Sequence, residues 1–317
     1  MSLRRNVLIF GGIIVDRYVV VDKYPVPGDD ALINEEFERV GGCAVNVAVT
    51  LKNLNCEPYI VATVGSDERG RRIQDYLAQH ALTTSCVKKV SESPSGYCMT
   101  ILDQNGERTF FTRRGCEDTF SPDMVVDSFY RQAPFVYLTG YYLLNDAYRQ
   151  TILEVLIKLK RSGSVILFDP GPLVGYINRD ALTTVLKIST IVTPNQSEVD
   201  KIRRTLNIKD SFHTWCLNAG IEIVIVKKGK RGADVFNKHD TRHFPSYETE
   251  MIDTSGAGDS FAGGFIAGLA HQYDLDMCMK IASACGALTS AIEGPHGTFT
   301  WEDVMHTIKR DKVINSC

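Results

Sequence analysis

Short apolar runs separated by turn residues recur along the chain, and most are too short for helices. Residues 6–13 form one such run, ended by Gly11-Gly12, and suit a strand buried on both faces. A helix is not expected next, because a Tyr-Val-Val-Val-Asp stretch at 18–22 is followed by Pro25 and Pro27. The glycine pair therefore does not announce a dinucleotide-binding fingerprint, which needs a helix there. Residues 18–40 alternate loosely between apolar and polar around the turn Pro27-Gly28-Asp29, which predicts one or two strands. A helix rich in small residues opens after Gly41-Gly42. From residue 59 onward strands and helices alternate, with strands at 60–64, 135–138, 164–168, 190–194 and 222–226. Helices are predicted at 67–79 with Asp67 as cap, at about 146–161, and after Asn195. One hairpin breaks this rhythm, with strands at 96–102 and 107–112 around Asp103-Gln104-Asn105-Gly106. The hairpin and residues 18–40 are assigned to a small accessory sheet. The stretch 252–265 begins as a polar loop and ends as a helix, and the remainder is read as helical: a small apolar helix at 277–292 and a last helix near 301–309. These elements predict a doubly wound α/β fold, a mostly parallel sheet with helices on both faces, as one domain over residues 1–317.

Composition narrows the function classes without choosing one. A chain of 317 residues with 44% hydrophobic and 23% charged residues describes a soluble globular protein with ample core. A formal net charge of -3 gives no reason to expect nucleic acid as a partner. The nine cysteines are odd in number and scattered, often within apolar runs such as 282–287, with no Cys-x-x-Cys pair. They read as reduced core residues of a cytoplasmic protein. The apolar run after Met1 is short and broken by glycines, so neither a signal peptide nor a membrane span is expected.

The candidate chemistry concentrates in Asp253-Thr254-Ser255-Gly256-Ala257-Gly258-Asp259. Gly256-Ala257-Gly258 is nearly bare of side chains, so its amides can approach a ligand closely. A helix follows at once, and its unpaired N–H groups and dipole favour an anion, usually phosphate. A carboxylate at Asp259 would repel phosphate. It is either a helix cap or a general base taking a proton from a hydroxyl that faces the phosphate. Asp16 follows the first strand, where open α/β sheets bind ligands, although a turn residue would fit there too. Asn46 falls near the first turn of the helix after Gly41-Gly42, where its amide can hold a hydroxyl or bond local backbone. Asn195 and Glu198 have the spacing of a capping box, or of a pair ordering a hydrated Mg²⁺ near phosphate. The stretch Lys227 to Gly232 suits nucleotide phosphates or an exposed tight turn. Arg113 and Arg114 can meet an anionic substrate or lie in solvent.

Taken together, Gly41-Gly42 with Asn46, Asn195-x-x-Glu198, Gly229-x-x-Gly232 and Asp253 to Asp259 resemble the ribokinase-like (PfkB) carbohydrate kinases in order and spacing. The resemblance runs from about residue 6 to the C-terminal helix. It implies ATP-dependent phosphorylation of a sugar hydroxyl, with Mg²⁺ as cofactor and Asp259 as base. Gly256, Ala257 and Gly258 would form the anion hole. Asn195 and Glu198 would place Mg²⁺ and phosphate, with Gly229, Gly232 and Lys227 beside the nucleotide. Asp16, Gly41, Gly42 and Asn46 would meet the sugar. The accessory strands, about 15–40 and about 94–114, resemble the family's lid, which covers the sugar and often forms a homodimer contact. In many members a monovalent cation such as K⁺ sits beside the anion hole; the matching positions are Asp253, Ser255, Thr289, Ile292, Gly294 and Thr298.

Two departures from that pattern concern the substrate. Ribokinases carry a sugar-binding glutamate where this chain has Thr139-Gly140-Tyr141, which speaks against ribose itself. Lys227 replaces a threonine near the nucleotide phosphates, while Arg113 and Arg114 leave room for an acidic or phosphorylated sugar. A nucleoside kinase of the same family is the alternative acceptor class. A silent sugar sensor would not need Asp259, and a dehydrogenase would need a nicotinamide rather than ATP. A P-loop kinase is excluded, since no Gly-x-x-x-x-Gly-Lys-Ser/Thr run is present.

Overall fold

The computed structural model describes residues 5–104, 108–132 and 134–314. In chain order the elements are β1 Asn6–Phe10, β2 Ile14–Val21, β3 Ile33–Gly41, α1 Cys43–Asn53, β4 Glu57–Gly65, α2 Glu68–Gln79, β5 Val87–Val90, β6 Tyr97–Leu102 and β7 Arg108–Arg113. There follow α3 Asp127–Gln132, β8 Phe135–Thr139, α4 Asp146–Arg161, β9 Val165–Asp169, α5 Arg179–Ile188, β10 Ile191–Val192, α6 Gln196–Leu206 and α7 Phe212–Asn218. The chain closes with β11 Ile223–Lys227, β12 Ala233–Phe236, β13 Thr241–Phe244, α8 Ala257–Ala270, α9 Leu275–Ser290 and α10 Trp301–Ile314.

The large sheet runs β13-β12-β11-β10-β9-β8-β1-β4-β5 among the described residues. From β5 to β11 every pairing is parallel; β12 and β13 complete one edge as an antiparallel pair. The central strand β1 is fully buried over Val7–Phe10, as expected of a strand covered on both faces. Its alternate residues enter two apolar cores. Val7 and Ile9 pack with α1, α8 and α9, while Leu8 and Phe10 pack with α4 and α5. Parallel strands must be joined by crossovers, so all their C-terminal ends lie along one rim. That rim collects Thr139, Asp169, Asn195 and Lys227.

The second sheet runs β3-β2-β6-β7, with β2 and β6 parallel and the outer pairs antiparallel. It contains both segments expected to stand outside the main rhythm. The Asn105-Gly106 turn itself lies outside the described residues. Asp67 caps α2, accepting from the Gly70 N–H at 3.1 Å. The pattern underestimated the strands toward the two sheet edges: β5, β12 and β13 have four residues each, too few for apolar alternation to mark them. The strand expected over 190–194 is only Ile191–Val192, because Pro194 leads straight into the α6 cap. Among the described residues no helix is long and apolar enough to cross a membrane. The eight described cysteines are free thiols.

Candidate active site

The N-terminus of α8 opens onto the rim. Gly256 is its cap, in the left-handed region at φ 68°. A side chain there would be strained and would also overlap the Pro295 carbonyl oxygen. Glycine is thus required for the loop holding Pro295 to seat on the helix end. The Gly256 and Gly258 N–H groups find no acceptor among the described residues, while Ala257 N–H makes a long 3.3 Å bond to the Thr254 carbonyl. The first intrahelical bond is Ser260 N–H to Gly256 O at 2.8 Å. The bare amides are therefore available, with Ala257 the most engaged of the three.

Asp259 is the third residue of α8, so the cap role is ruled out. Its carboxylate accepts from Asn46 Nδ2 at 2.7 Å and from the Tyr137 hydroxyl at 3.5 Å. Burial pushes Asp259 up to about 7. The Asn46 hydrogen bond and Lys227 pull it down, and the Asp169 carboxylate adds to the rise. Asp16, on β2, is likewise pushed up to about 7 by burial and then by the charges of Asp259 and Asp253. Two carboxylates thus face one cleft, each half-buried with a side open to it. Gly41, across the β2–β3 pair, leaves the space that the Asp16 carboxylate fills. Gly42 is the cap of α1, which carries Asn46 into the cleft.

Lys227, at the end of β11, reaches the other side of the helix end. Its Nζ lies 3.5 Å from where a Gly258 side chain would begin, and 2.9 Å from Asp169 Oδ1. Burial pushes this ammonium down, but Asp169 and Glu198 outweigh it and its pKa is raised. It is a fixed positive charge beside the free amides. Asn195 and Glu198 form a complete capping box: Asn195 Oδ1 takes the Glu198 N–H at 2.9 Å, and Glu198 Oε2 takes the Asn195 N–H at 2.9 Å. Asn195 Nδ2 adds a bond to Glu198 Oε1 at 2.8 Å. Burial raises the Glu198 pKa, against the pull of Lys227. Gly229 and Gly232 bracket the turn after β11; Gly229 faces open space, whereas Gly232 lies against the Phe244 carbonyl.

The remaining expected site residues divide between the edge of the small sheet and the loops around the start of α8. Arg113 is exposed on the edge strand β7, and no bond links it to Asp16, Asn46 or Asp259. The Asp253 carboxylate takes the Ser255 N–H at 2.6 Å and the Gly294 N–H at 3.0 Å, tying the two loops together. The Thr289 hydroxyl points inward to Ser260 at 2.8 Å, Ile292 is half-buried and Thr298 is exposed. No group of three or more His, Cys, Asp or Glu able to hold a metal occurs among the described residues. Three cleft residues are not among the expected site residues: Asp169, Tyr137 and Cys43. Cys43 opens α1, half-buried, and its thiol is pushed well above its ordinary value by desolvation and then by the charges of Asp259 and Asp169. Asp169 carried the available signal, an acid at a strand's C-terminal end. Tyr137 lies inside a buried run and carried none.

Fold and cleft together define a class, an open α/β protein whose free helix amides and carboxylates meet below a small β-sheet. Residues 4–298 match the pfkB family carbohydrate kinase domain, so the chain belongs to that family and is a carbohydrate kinase. It is 26% identical to an uncharacterized sugar kinase, YegV, of Escherichia coli (strain K12) over 311 residues, covering 96% of this chain and 94% of that protein. It is 27% identical to the ATP-dependent ribose-1-phosphate kinase of Halopiger xanaduensis over 299 residues, covering 94% and 96%. In three dimensions it is similar to the Burkholderia thailandensis nucleoside kinase in complex with inosine, with TM-score 0.82 at 20% identity over 96% of this chain and 98% of that one. At that identity the likeness shows the fold.

Proposed function

We propose that this kinase moves the γ-phosphate of ATP to a hydroxyl of a sugar or sugar derivative, with Asp259 as general base. The observation that carries the reading is Asp259 held into the cleft by Asn46 at 2.7 Å, one turn of chain from the free Gly256 and Gly258 amides. The acceptor O–H gives its proton to the Asp259 carboxylate as its oxygen bonds the γ-phosphorus. The bond from that phosphorus to the β-phosphate oxygen breaks, and ADP leaves with the electron pair. Charge building on the transferring group meets the bare amides and Lys227. A base pushed up to about 7 is matched to work near neutral pH.

Both Glu198 oxygens are engaged by Asn195, so the pair would hold Mg²⁺ through water, as that ion prefers. Bound there, Mg²⁺ would neutralise phosphate charge. The loops that Asp253 ties together and the end of α9 carry Asp253, Ser255, Thr289, Ile292, Gly294 and Thr298, the positions that would surround a monovalent cation such as K⁺. Asp16 and Asn46 would orient the acceptor. Two carboxylates on that side favour a neutral, hydroxyl-rich acceptor over an anionic one, and Arg113 is placed too far out to reverse this. The small sheet would act as a lid that excludes water. Its exposed Ile33, Phe110 and Phe111 support a homodimer through that sheet, and the free thiols suit a cytoplasmic setting.

An ATP-consumption screen of sugars, keto-acids and nucleosides tests the acceptor class. A sugar or sugar derivative should turn over fastest, and turnover of nucleosides alone would overturn the assignment. Asp259→Asn should lower kcat by about 10²–10⁴, the usual share of a general base, with ATP KM little changed. An unchanged rate would remove Asp259 from the role.

A further inference from the structure

Asn46 faces Asp259 with a side chain whose two ends are alike in size and opposite in hydrogen bonding. Something must keep the N–H end toward the carboxylate, since the carbonyl end would repel an ionised base. The loop after α9 supplies it. His296 Nδ1 lies 3.1 Å from Asn46 Oδ1, and its Nε2 is hydrogen-bonded to the Tyr76 hydroxyl on α2. The Tyr76 and His296 rings meet edge to face, 5.6 Å apart at 78°. His80 stacks on the Tyr76 ring at 3.8 Å.

With Asp259 ionised and His296 neutral, only one proton arrangement gives each contact a donor and an acceptor. Asn46 Nδ2 donates to Asp259, so Asn46 Oδ1 faces the imidazole. His296 Nδ1 must then carry the proton, which leaves Nε2 bare for the Tyr76 hydroxyl. The chain of donors runs one way, from Tyr76 through His296 and Asn46 to the base.

We infer that His296, backed by Tyr76, is a positioning residue for the phosphoryl-transfer reaction, locking the Asn46 amide in the orientation that holds Asp259 toward the acceptor. The inference rests on Asp259 being the base. It assigns a task to a loop residue that neither touches the acceptor hydroxyl nor moves a proton to it.

The test compares two replacements of His296 in the full-length kinase, assayed with ATP and its best acceptor. Asn can place a side-chain N–H near the position of Nδ1–H; Leu fills similar space without a donor. His296→Leu should lower kcat about tenfold, the scale of a modest misplacement of a reacting group, with ATP KM within about twofold. His296→Asn should recover most of that loss. If the residue only fills space, Leu should preserve kcat at least as well as Asn, and that result overturns the inference. Tyr76→Phe removes one hydroxyl at the far end and should lower kcat by a few-fold; unchanged turnover there overturns the backing role, and the whole inference if the His296 variants do not fold. Asp259→Asn is run alongside. If it stays active, the base assignment itself has failed; if it is inactive while His296→Leu is not, only the positioning role has.

Discussion

Asp259 shows how one residue's surroundings set its chemistry. An exposed Asp is fully ionised at neutral pH and a weak base; burial beside Asp169 pushes this one up to about 7, while Asn46 and Lys227 restrain the rise. Asp16 shares the cleft and the same direction. The kinase should therefore lose activity on acidification: kcat/KM for the acceptor should fall below an apparent pKa near 7, a value belonging to the Asp16–Asp259 pair. A flat profile from pH 5 to 8 would contradict the base role. Stability should move the opposite way. Native Asp259 holds its proton up to about 7, whereas the unfolded chain releases it near 3.8. Between those values the native state binds more protons, so stability falls as pH rises from about 4 to about 7. Asp259→Asn cannot ionise and should show a smaller drop in Tm over that window, read by calorimetry in a buffer series.

Helix α8 carries the proposed anion-binding end, and its geometry depends on one glycine. Gly256→Ala would place a side chain in the left-handed region and against the Pro295 carbonyl. The strain alone costs about 1–3 kcal/mol, and relief requires moving the loop that also carries His296. Urea unfolding should report that loss, and ATP KM should rise with it. In α6 the same residues serve structure and proposed chemistry. Glu198→Ala removes the acceptor of the Asn195 N–H and should cost about 1 kcal/mol, in the range of a lost cap. It should also raise the Mg²⁺ concentration needed for half-maximal rate. A stability loss with an unchanged Mg²⁺ response would leave Glu198 a cap and nothing more.

At the scale of the whole molecule, the small sheet joins the large one through chain crossings at Gly12, Gly42, Gly96 and Gly115. The buried Glu117 carboxylate binds two of them, taking the Gly96 N–H at 3.0 Å and the Gly115 N–H at 2.9 Å. Glu117→Ala would leave those donors without an acceptor, at roughly 1–3 kcal/mol each where buried. If the small sheet excludes water from the cleft, loosening its base should raise ATP hydrolysis in the absence of acceptor, measured as phosphate release. Unchanged background hydrolysis would argue against the lid role. Much of this architecture is legible in the sequence. Apolar runs such as Val7–Phe10 are buried because both faces of a parallel sheet are covered, and the caps Asp67 and Asn195 act through neighbours within a few residues. The strands β12 and β13 were not legible, because four residues each carry too short a pattern.

The sequence by itself determined the central strands, the longer helices around them and the glycine-rich start of α8, since each depends on residues close together in the chain. The tertiary structure alone decided what surrounds Asp259. Asn46 lies 213 positions away from it, Tyr137 122 positions away, and His296 250 positions from Asn46. Only the crossovers of the parallel sheet bring such distant residues within hydrogen-bond reach, and burial there turns an ordinary Asp into one poised near neutrality.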